Sequence, residues 1–479
     1  MTTFLGLDLG TSSLKAILTD EHDALLAEHS VPLTVSRPHD GWSEQDPRAW
    51  EGAAEAAIAA VAAQADCSTL AGIGLSGHMH GATLLGRDGA PLRPCMMWND
   101  TRAEAQAAHM DADPRFRAVT GNIVFPGFTA PKVDWVRENE PRVFDQIDKV
   151  LLPKDYLRFW LTGQAVSEMS DAAGTSWLDT GARDWSDDLL SACRLSRGQM
   201  PALAEGSDVT GRLRADLARR WGLPQVPVAG GAGDNAAAAI GAGVVKDGQA
   251  FLSLGTSGVL FAANAGYRPD PASAVHAFCH ALPETWHQMG VILAATDALE
   301  WLSRLTGRSA ADLTAGLGDL RAPGRVLFLP YLGGERTPHN DAHIRGQFLH
   351  LDHATDATEA ARAVLEGVAC AFVDNRDALA ATGTRISRAL ALGGGSRSAY
   401  WLDLLASALG VPLDVPEAGD YGAALGAARL GRMAATGAGP EIATPPPIAR
   451  THEPDPAMAA PLAEVQARYR TAYHRLKDL

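Results

Sequence analysis

The stretch Phe4-Leu5-Gly6-Leu7-Asp8-Leu9-Gly10-Thr11-Ser12-Ser13-Leu14 reads as an apolar strand, a tight turn and the start of a second strand. Residues 14–18 continue apolar, and 25–33 supply the third strand of a meander. The pattern returns in the second half as Phe251-Leu252-Ser253-Leu254-Gly255-Thr256-Ser257-Gly258, again between two apolar strands. A short L-G-T-S string alone can recur by chance. The shared strand–turn–strand setting points instead to a duplicated domain. Asp8 in the first copy is replaced by Ser253 in the second.

Working outward, an Ala-rich helix is predicted over 50–65 and a short buried strand over 72–75, followed by a hairpin around Gly86-Arg87-Asp88-Gly89. Further helices are predicted near 102–110, 131–138, 154–161, 294–305, 359–380 and 400–409. A small-residue helix starts at Ala236, and the Gly393-Gly394-Gly395 triplet follows an apolar strand over 389–392. Strands alternating with helices make this an α/β protein. At roughly 100–200 residues per domain, the 479 residues allow two large domains or three small ones.

The net charge is -15, from 41 Lys+Arg against 56 Asp+Glu, and no basic cluster exists to grip a phosphate backbone or an anionic membrane. Nucleic-acid and membrane partners are therefore disfavoured. The N-terminus enters a strand at once, without a basic leader, and the most apolar run, 53–65, is short and carries Glu55. Five scattered cysteines, none in C-x-x-C spacing, fit a reducing compartment, so a cytoplasmic protein is expected.

Each L-G-T-S turn presents several backbone N–H groups and hydroxyls to one point, a phosphate cradle made without Lys. Two such turns, one per half, suggest a nucleotide lying between the halves. Asp8, at a strand end just before the first turn, suits a Mg²⁺ ion held against the phosphates. It equally suits a turn Asp bonding its own backbone. Asp234, in Gly230-Gly231-Ala232-Gly233-Asp234-Asn235, sits among small residues at a strand-to-helix junction. It fits an acceptor for the proton of an attacking hydroxyl, and about as well a helix N-cap. In Ser76-Gly77-His78-Met79-His80-Gly81, the two His are expected on one side of a strand, as in metal-dependent hydrolases. His80 with Met79 as a sugar contact explains the stretch as well. Gly72-Ile73-Gly74-Leu75-Ser76-Gly77 fits G-x-G-x-x-G, but those glycines sit inside a strand rather than opening a helix. No P-loop, H-E-x-x-H or G-x-S-x-G string occurs.

Longer strings carry a resemblance. LDLGTSSLKAIL (7–18), VSRPHDGWSEQDP (35–47), GHMHGATLL (77–85), WNDTR (98–102), VLLPKDYLRFWLTG (150–163), SDAAGTSWLD (170–179), GDNAAAAIGAG (233–243), LSLGTSG (252–258), LPYLGGERTPHN (329–340) and GGGSRSAYW (393–401) are among them. On these the chain resembles the FGGY carbohydrate kinases, and within them the enzymes acting on D-xylulose, from about residue 3 to about 430. The resemblance implies an α/β fold of two actin-like (ribonuclease H-like) ATPase domains with the active site in the interdomain cleft. It implies a first domain over 1–244, a second over 245–440, and a loop with a C-terminal helix over 441–479.

The activity it implies is transfer of the ATP γ-phosphate, with Mg²⁺, to a terminal sugar hydroxyl, in a chain compatible with a homodimer. Asp234 matches the catalytic base, and Asp8 the acidic residue for the metal-bound phosphates, both being candidate metal ligands. Met79, His80, Trp98, Asn99, Asp100, Asp234 and Asn235 match the sugar side. Thr11, Ser12, Ser13, Gly255, Thr256 and Ser257 match the two phosphate turns, and Gly393, Gly394, Gly395 and Ser396 the adenosine-side loop. His78 departs from the pattern, standing where these enzymes commonly carry Gln. A kinase of another sugar or polyol (ribulose, glycerol, a hexulose), a non-catalytic sugar sensor and a metal-dependent hydrolase are the competing readings.

Overall fold

Apolar residues at alternate positions build the first sheet. In the computed structural model of the protein, which describes residues 1–417 and 422–478, strands Thr3–Leu9, Ser13–Asp20 and Leu25–Pro32 form the expected antiparallel meander. Strand Leu70–Gly77 pairs parallel with Thr3–Leu9, and Pro227–Ala229 pairs parallel with Leu70–Gly77. Val209–Arg212 closes that edge antiparallel. The second sheet repeats the plan. Gln249–Leu254 is central, Gly258–Asn264 and Trp286–Ile292 lie antiparallel on one side, and Arg388–Leu392 and Leu413–Pro416 parallel on the other. An antiparallel edge strand, Ile448–His452, closes it as well. The two L-G-T-S turns thus mark a duplicated sheet topology, that of two actin-like domains.

The first sheet buries its two faces by different means. Leu5, Leu7 and Leu9 point one way and pack with Trp50, Ala54, Ala57 and Ile58 of helix Pro47–Gln64. Asp46 caps that helix by accepting from the Arg48 N–H, with Pro47 in its first turn. The other face carries Gly6, Gly72 and Gly74, and there helix Gly422–Thr436 lies directly on the strands. A Cβ on Gly74 would stand 1.8 Å from the Ala427 carbonyl oxygen, one on Gly6 2.2 Å from that of Ala424, and one on Gly72 2.4 Å from that of Gly431. The same helix packs on Asp234–Ala242, where Cβ atoms on Gly426 and Gly241 would meet the carbonyl oxygens of Ala237 and Gly422 at 1.8 and 1.9 Å. The buried Arg429 locks the contact. It donates to the carbonyls of Ile240 and Gly241 at 2.9 and 3.2 Å, at the end of Asp234–Ala242, and pairs with Asp23 at 2.8 Å.

The structure adds two features to the expected division of the chain. Within 245–440, helix Gly422–Thr436 returns to the first sheet. Within 441–479, the expected C-terminal helix is present and packed, and a strand precedes it. Ile448–His452 supplies an edge strand, and helix Ala459–Leu476 buries Leu462, Val465, Tyr469 and Tyr473 in the second domain's core. The physical reason is that a sheet edge and an apolar helix stripe both require cover. Between the halves one apolar cluster is continuous, running from Met79, Phe128 and Trp177 to Phe251, Phe261 and Phe278.

Gly74→Ala is expected to lower stability by at least about 1–3 kcal/mol, the usual cost of overpacking, in a urea melt. Gly52→Ala, in a helix where a Cβ meets nothing within 4 Å, is expected to raise it by about 0.5–1 kcal/mol.

Candidate active site

Asp8 lies at the end of the first central strand, in register with Ser76 on its parallel neighbour and Lys15 on its antiparallel one. Burial pushes its carboxyl up, while Ser76 and the Lys15 charge oppose the rise. The turn that follows is closed by the Gly10 N–H donating to the Ser13 carbonyl at 2.9 Å. Ser12 is exposed, and Thr11 and Ser13 are half-buried. Trp98, 48% exposed, donates its ring N–H to Thr11 Oγ1 at 3.0 Å. The sugar-side segment and the first phosphate turn are thereby tied together.

The second turn stands at the end of the other central strand, with Thr256 and Ser257 exposed. Its Gly255 carbonyl accepts from the Thr296 N–H and hydroxyl at 3.0 and 2.9 Å, anchoring it to helix Thr296–Thr306. The glycine triplet lies against this turn. Gly393 has a φ of +86°, and a Cβ there would lie 2.8 Å from the Leu254 carbonyl oxygen, so both conformation and space call for glycine. Gly394 is open, and the Ser396 hydroxyl closes the loop on the Gly393 carbonyl at 2.7 Å. One site residue of each half, Asp8 and the Leu254–Ser257 turn, thus sits where a central strand ends.

Asp234 opens helix Asp234–Ala242, with Gly233 as its N-cap residue. Its Oδ1 accepts from the Asn235 N–H and Nδ2 at 2.8 and 3.0 Å. Burial raises its carboxyl to about 6; the Asn235 bonds oppose this and the Asp8 charge adds to it. The two carboxylates are therefore electrostatic neighbours although they belong to different strand ends. Met79 touches the same junction: a Cβ on Gly233 would lie 2.8 Å from its Cγ.

His80 has a φ of +70° and donates from Nδ1 to the Gly174 carbonyl at 2.8 Å. Its own carbonyl is held by Lys132 Nζ at 3.0 Å and Thr129 Oγ1 at 3.1 Å, and its ring stacks on Phe128 at 4.4 Å. The buried Lys132 ammonium is pulled down to about 7 by desolvation.

Three sequence expectations change here. His78 and His80 do not share a face, because the strand ends at Gly77 and the positive φ at His80 turns the chain. The buried His78 ring packs edge-on against Trp50 at 5.8 Å, its two nitrogens without partners, and burial drives it down to about 3. The pair therefore does not form the two-histidine metal site on which the hydrolase reading was built, and among the described residues no cluster of three or more His, Cys, Asp or Glu could hold a metal ion. Asp100 does not face the cleft. It is fully buried, with Oδ2 accepting from the Ser43 N–H at 2.7 Å and both oxygens taken by Arg102. It fixes the Trp98–Asn99 segment from behind, leaving Asn99 Oδ1 buried and unpartnered.

Behind Asp234 lies a charged network that sequence reading missed. Lys154, Asp155, Arg158, Glu168 and Asp171 are all completely buried. Lys154 Nζ reaches Asp155 at 2.6 Å, Asp171 at 3.5 Å and Glu168 at 3.6 Å. Burial disfavours the ammonium, but these three carboxylates outweigh it and hold Lys154 charged. Glu168 accepts from the Ser170 hydroxyl at 2.9 Å, and Ser170 Oγ in turn accepts from the Gly233 N–H at 3.1 Å. The segment from Glu168 to Gly174 therefore fixes both Asp234, through Gly233, and His80. Its signal was present in Pro153-Lys154-Asp155-Tyr156-Leu157-Arg158, where three charges interrupt an otherwise apolar helix start.

Comparison with known proteins agrees with this geometry. Residues 3–241 match the model of the N-terminal domain of the FGGY family of carbohydrate kinases, and 250–435 that of its C-terminal domain. The chain is 48% identical to the xylulose kinase of Escherichia coli (strain K12), over 99% of each chain. It is similar to the crystal structure of a xyloylose kinase from Brucella ovis, with 60% identity, a TM-score of 0.98 and 99% of each chain covered. A xylulose kinase structure from Rhodospirillum rubrum matches at 31% identity and a TM-score of 0.93, again over 99% of each chain.

Lys154→Met would leave three carboxylates buried without their shared cation. It is expected to cost about 3–5 kcal/mol, as for other broken buried pairs, measured by denaturant unfolding with circular dichroism.

Proposed function

The chain belongs to the FGGY family of carbohydrate kinases, and from that premise we propose that it phosphorylates D-xylulose with ATP to give D-xylulose 5-phosphate. The observation that carries the mechanism is the placement of two interacting carboxylates, Asp8 and Asp234, at the ends of strands beside the first phosphate turn. The 48% and 60% identities to enzymes named for xylulose support the substrate.

ATP lies in the cleft with its phosphates on the N–H groups and hydroxyls of Thr11–Ser13 and Gly255–Ser257. The Gly393–Ser396 loop receives the adenosine side. Met79, His80, Trp98 and Asn99 position the sugar, with Asn235 beside Asp234. Asp234 accepts the proton of the C5 hydroxyl as its oxygen attacks the γ-phosphorus. Its raised carboxyl is the environment a base working near neutrality needs. Two neighbouring carboxylates are a hard-oxygen donor set of the kind Mg²⁺ takes together with substrate phosphates. Asp8 and Asp234 would hold such an ion, whose charge would offset that developing on the transferring phosphoryl group. The remaining catalysis is positioning within a closed cleft.

A cytoplasmic location is part of the same proposal, and five buried, unpaired cysteines are compatible with a reducing compartment. The homodimer is carried by the family resemblance alone. A non-catalytic sensor has no need of both Asp8 and Asp234.

Asp234→Ala is expected to cut kcat on D-xylulose roughly 10²- to 10⁴-fold, the usual range for a general base, while the KM for ATP stays within a few-fold. Near-normal turnover would remove Asp234 from the role. Because its folded carboxyl is raised to about 6, the base is lost by protonation below that pH. Wild-type kcat/KM for the sugar should therefore fall on the acid side with a midpoint near 6, well above an ordinary carboxylate.

A further inference from the structure

Arg336, in the Gly333-Gly334-Glu335-Arg336-Thr337-Pro338 loop of the second domain, crosses to the first. Its guanidinium carbon lies 4.5 Å from the ring centre of Phe125, and its NH1 lies 3.5 Å from His276 Nε2. Phe125 packs edge-on against both Phe128 and His276. Phe128 is the ring on which His80 stacks. The guanidinium therefore caps a box of aromatic and imidazole rings whose inner wall is His80, and its charge acts on the His80 ring. Among the described residues no carboxylate lies within ion-pair distance of it, and only the Glu335 charge acts on it. Its neighbour Glu335 spends its Oε1 on the N–H groups of Leu293 and Arg336, and burial raises its carboxyl to about 8. Among the described residues Arg336 makes no ion pair, and its contact with His276 is long for a hydrogen bond. A deeply set cation without an anion has donors to spare.

His80 complements it. A carbonyl oxygen only accepts, so the bond to Gly174 puts the proton on Nδ1. Burial keeps the ring neutral, with His80 driven down to about 3. Nε2 is then a bare acceptor. Around the same ring cluster the chain thus offers one acceptor, on His80, and one charged donor group, on Arg336.

We propose that Arg336 is a specificity residue of the sugar site, donating to the carbonyl oxygen of a 2-ketose while His80 Nε2 accepts from the adjoining C1 hydroxyl. This rests on the sugar-kinase reading and refines it to the hydroxyketone end of the substrate, remote from the hydroxyl that is phosphorylated. Phe125, Phe128 and His276 hold the guanidinium in place across the two domains. Recognition would then complete only when the domains close on the sugar.

The test compares Arg336→Met and Arg336→Lys with the wild type. Dissociation constants are measured by calorimetry for D-xylulose and for xylitol, the same carbon skeleton with the carbonyl reduced. Turnover with D-xylulose and the KM for ATP are measured alongside. Arg336→Met is expected to weaken D-xylulose binding roughly 10- to 100-fold, the factor of a hydrogen bond to a charged group. It should weaken xylitol binding only about one-tenth as much, leave the KM for ATP unchanged, and be partly restored by Arg336→Lys. Equal weakening of both ligands would assign Arg336 to holding the domains together, and unchanged binding of both would remove it from the site. Either outcome overturns the proposal. Failure of the wild type to phosphorylate D-xylulose would overturn the functional reading itself, which separates the two failures.

Discussion

The structure depends on backbone meeting backbone where side chains would normally intervene. Helix Gly422–Thr436 reaches the first sheet and helix Asp234–Ala242 only because Gly6, Gly72, Gly74, Gly241 and Gly426 carry no Cβ. The late helix is thereby stacked on the strands that end at Asp8 and Gly77, and on the helix that begins at Asp234. A larger residue at any of these positions would push the Asp234 helix away from the Asp8 strand. The placement of the Asp234 helix relative to the Asp8 strand thus depends on these glycines, with Arg429 pinning the opposite end of the same contact.

Electrostatics then divides the labour between two layers. The outer layer, Asp8 and Asp234, is left with carboxyls raised by burial, and the Asp8 charge adds to the rise at Asp234. The inner layer, Lys154 with Asp155, Glu168 and Asp171, is sealed from solvent around one shared cation, although burial raises Glu168 and Asp171 too and leaves both Asp171 oxygens without a hydrogen-bond partner. A buried network of this kind adds little net stability. What it supplies here is geometry, since Ser170 and Gly174 on the same short segment hold the Asp234 junction and the His80 ring.

The duplication was legible because each sheet has at its centre the same strand, turn and strand. What the sequence offered for Asp8 and Asp234 was their setting, a carboxylate at a strand end or a strand-to-helix junction among small residues, and the structure keeps both in that setting. Helix Gly422–Thr436 was not legible, since a glycine- and alanine-rich helix packed backbone to backbone shows no large apolar stripe. The Gly72-Ile73-Gly74 pattern was read correctly as no dinucleotide fingerprint, yet its purpose, admitting that helix, appears only in the packing. Strand Ile448–His452 escaped notice because only His452 is buried in it. The histidine pair misled because alternation holds only while a strand continues, and the chain turns at His80. Arg336 and Lys154 sat inside recognised strings, but nothing in a single sequence says which of its charges will be buried.

In the proposed mechanism the two halves close on ATP and a ketose so that Asp234 directs the phosphoryl group to one hydroxyl. Phosphorus and proton NMR of the reaction with D-xylulose, ATP and Mg²⁺, with ADP counted in parallel, tests it most directly. The account expects one ADP per sugar phosphate, a single product phosphorylated at C5, and almost no ADP when the sugar is omitted. ADP formed without sugar phosphate, or phosphate on another hydroxyl, would contradict it.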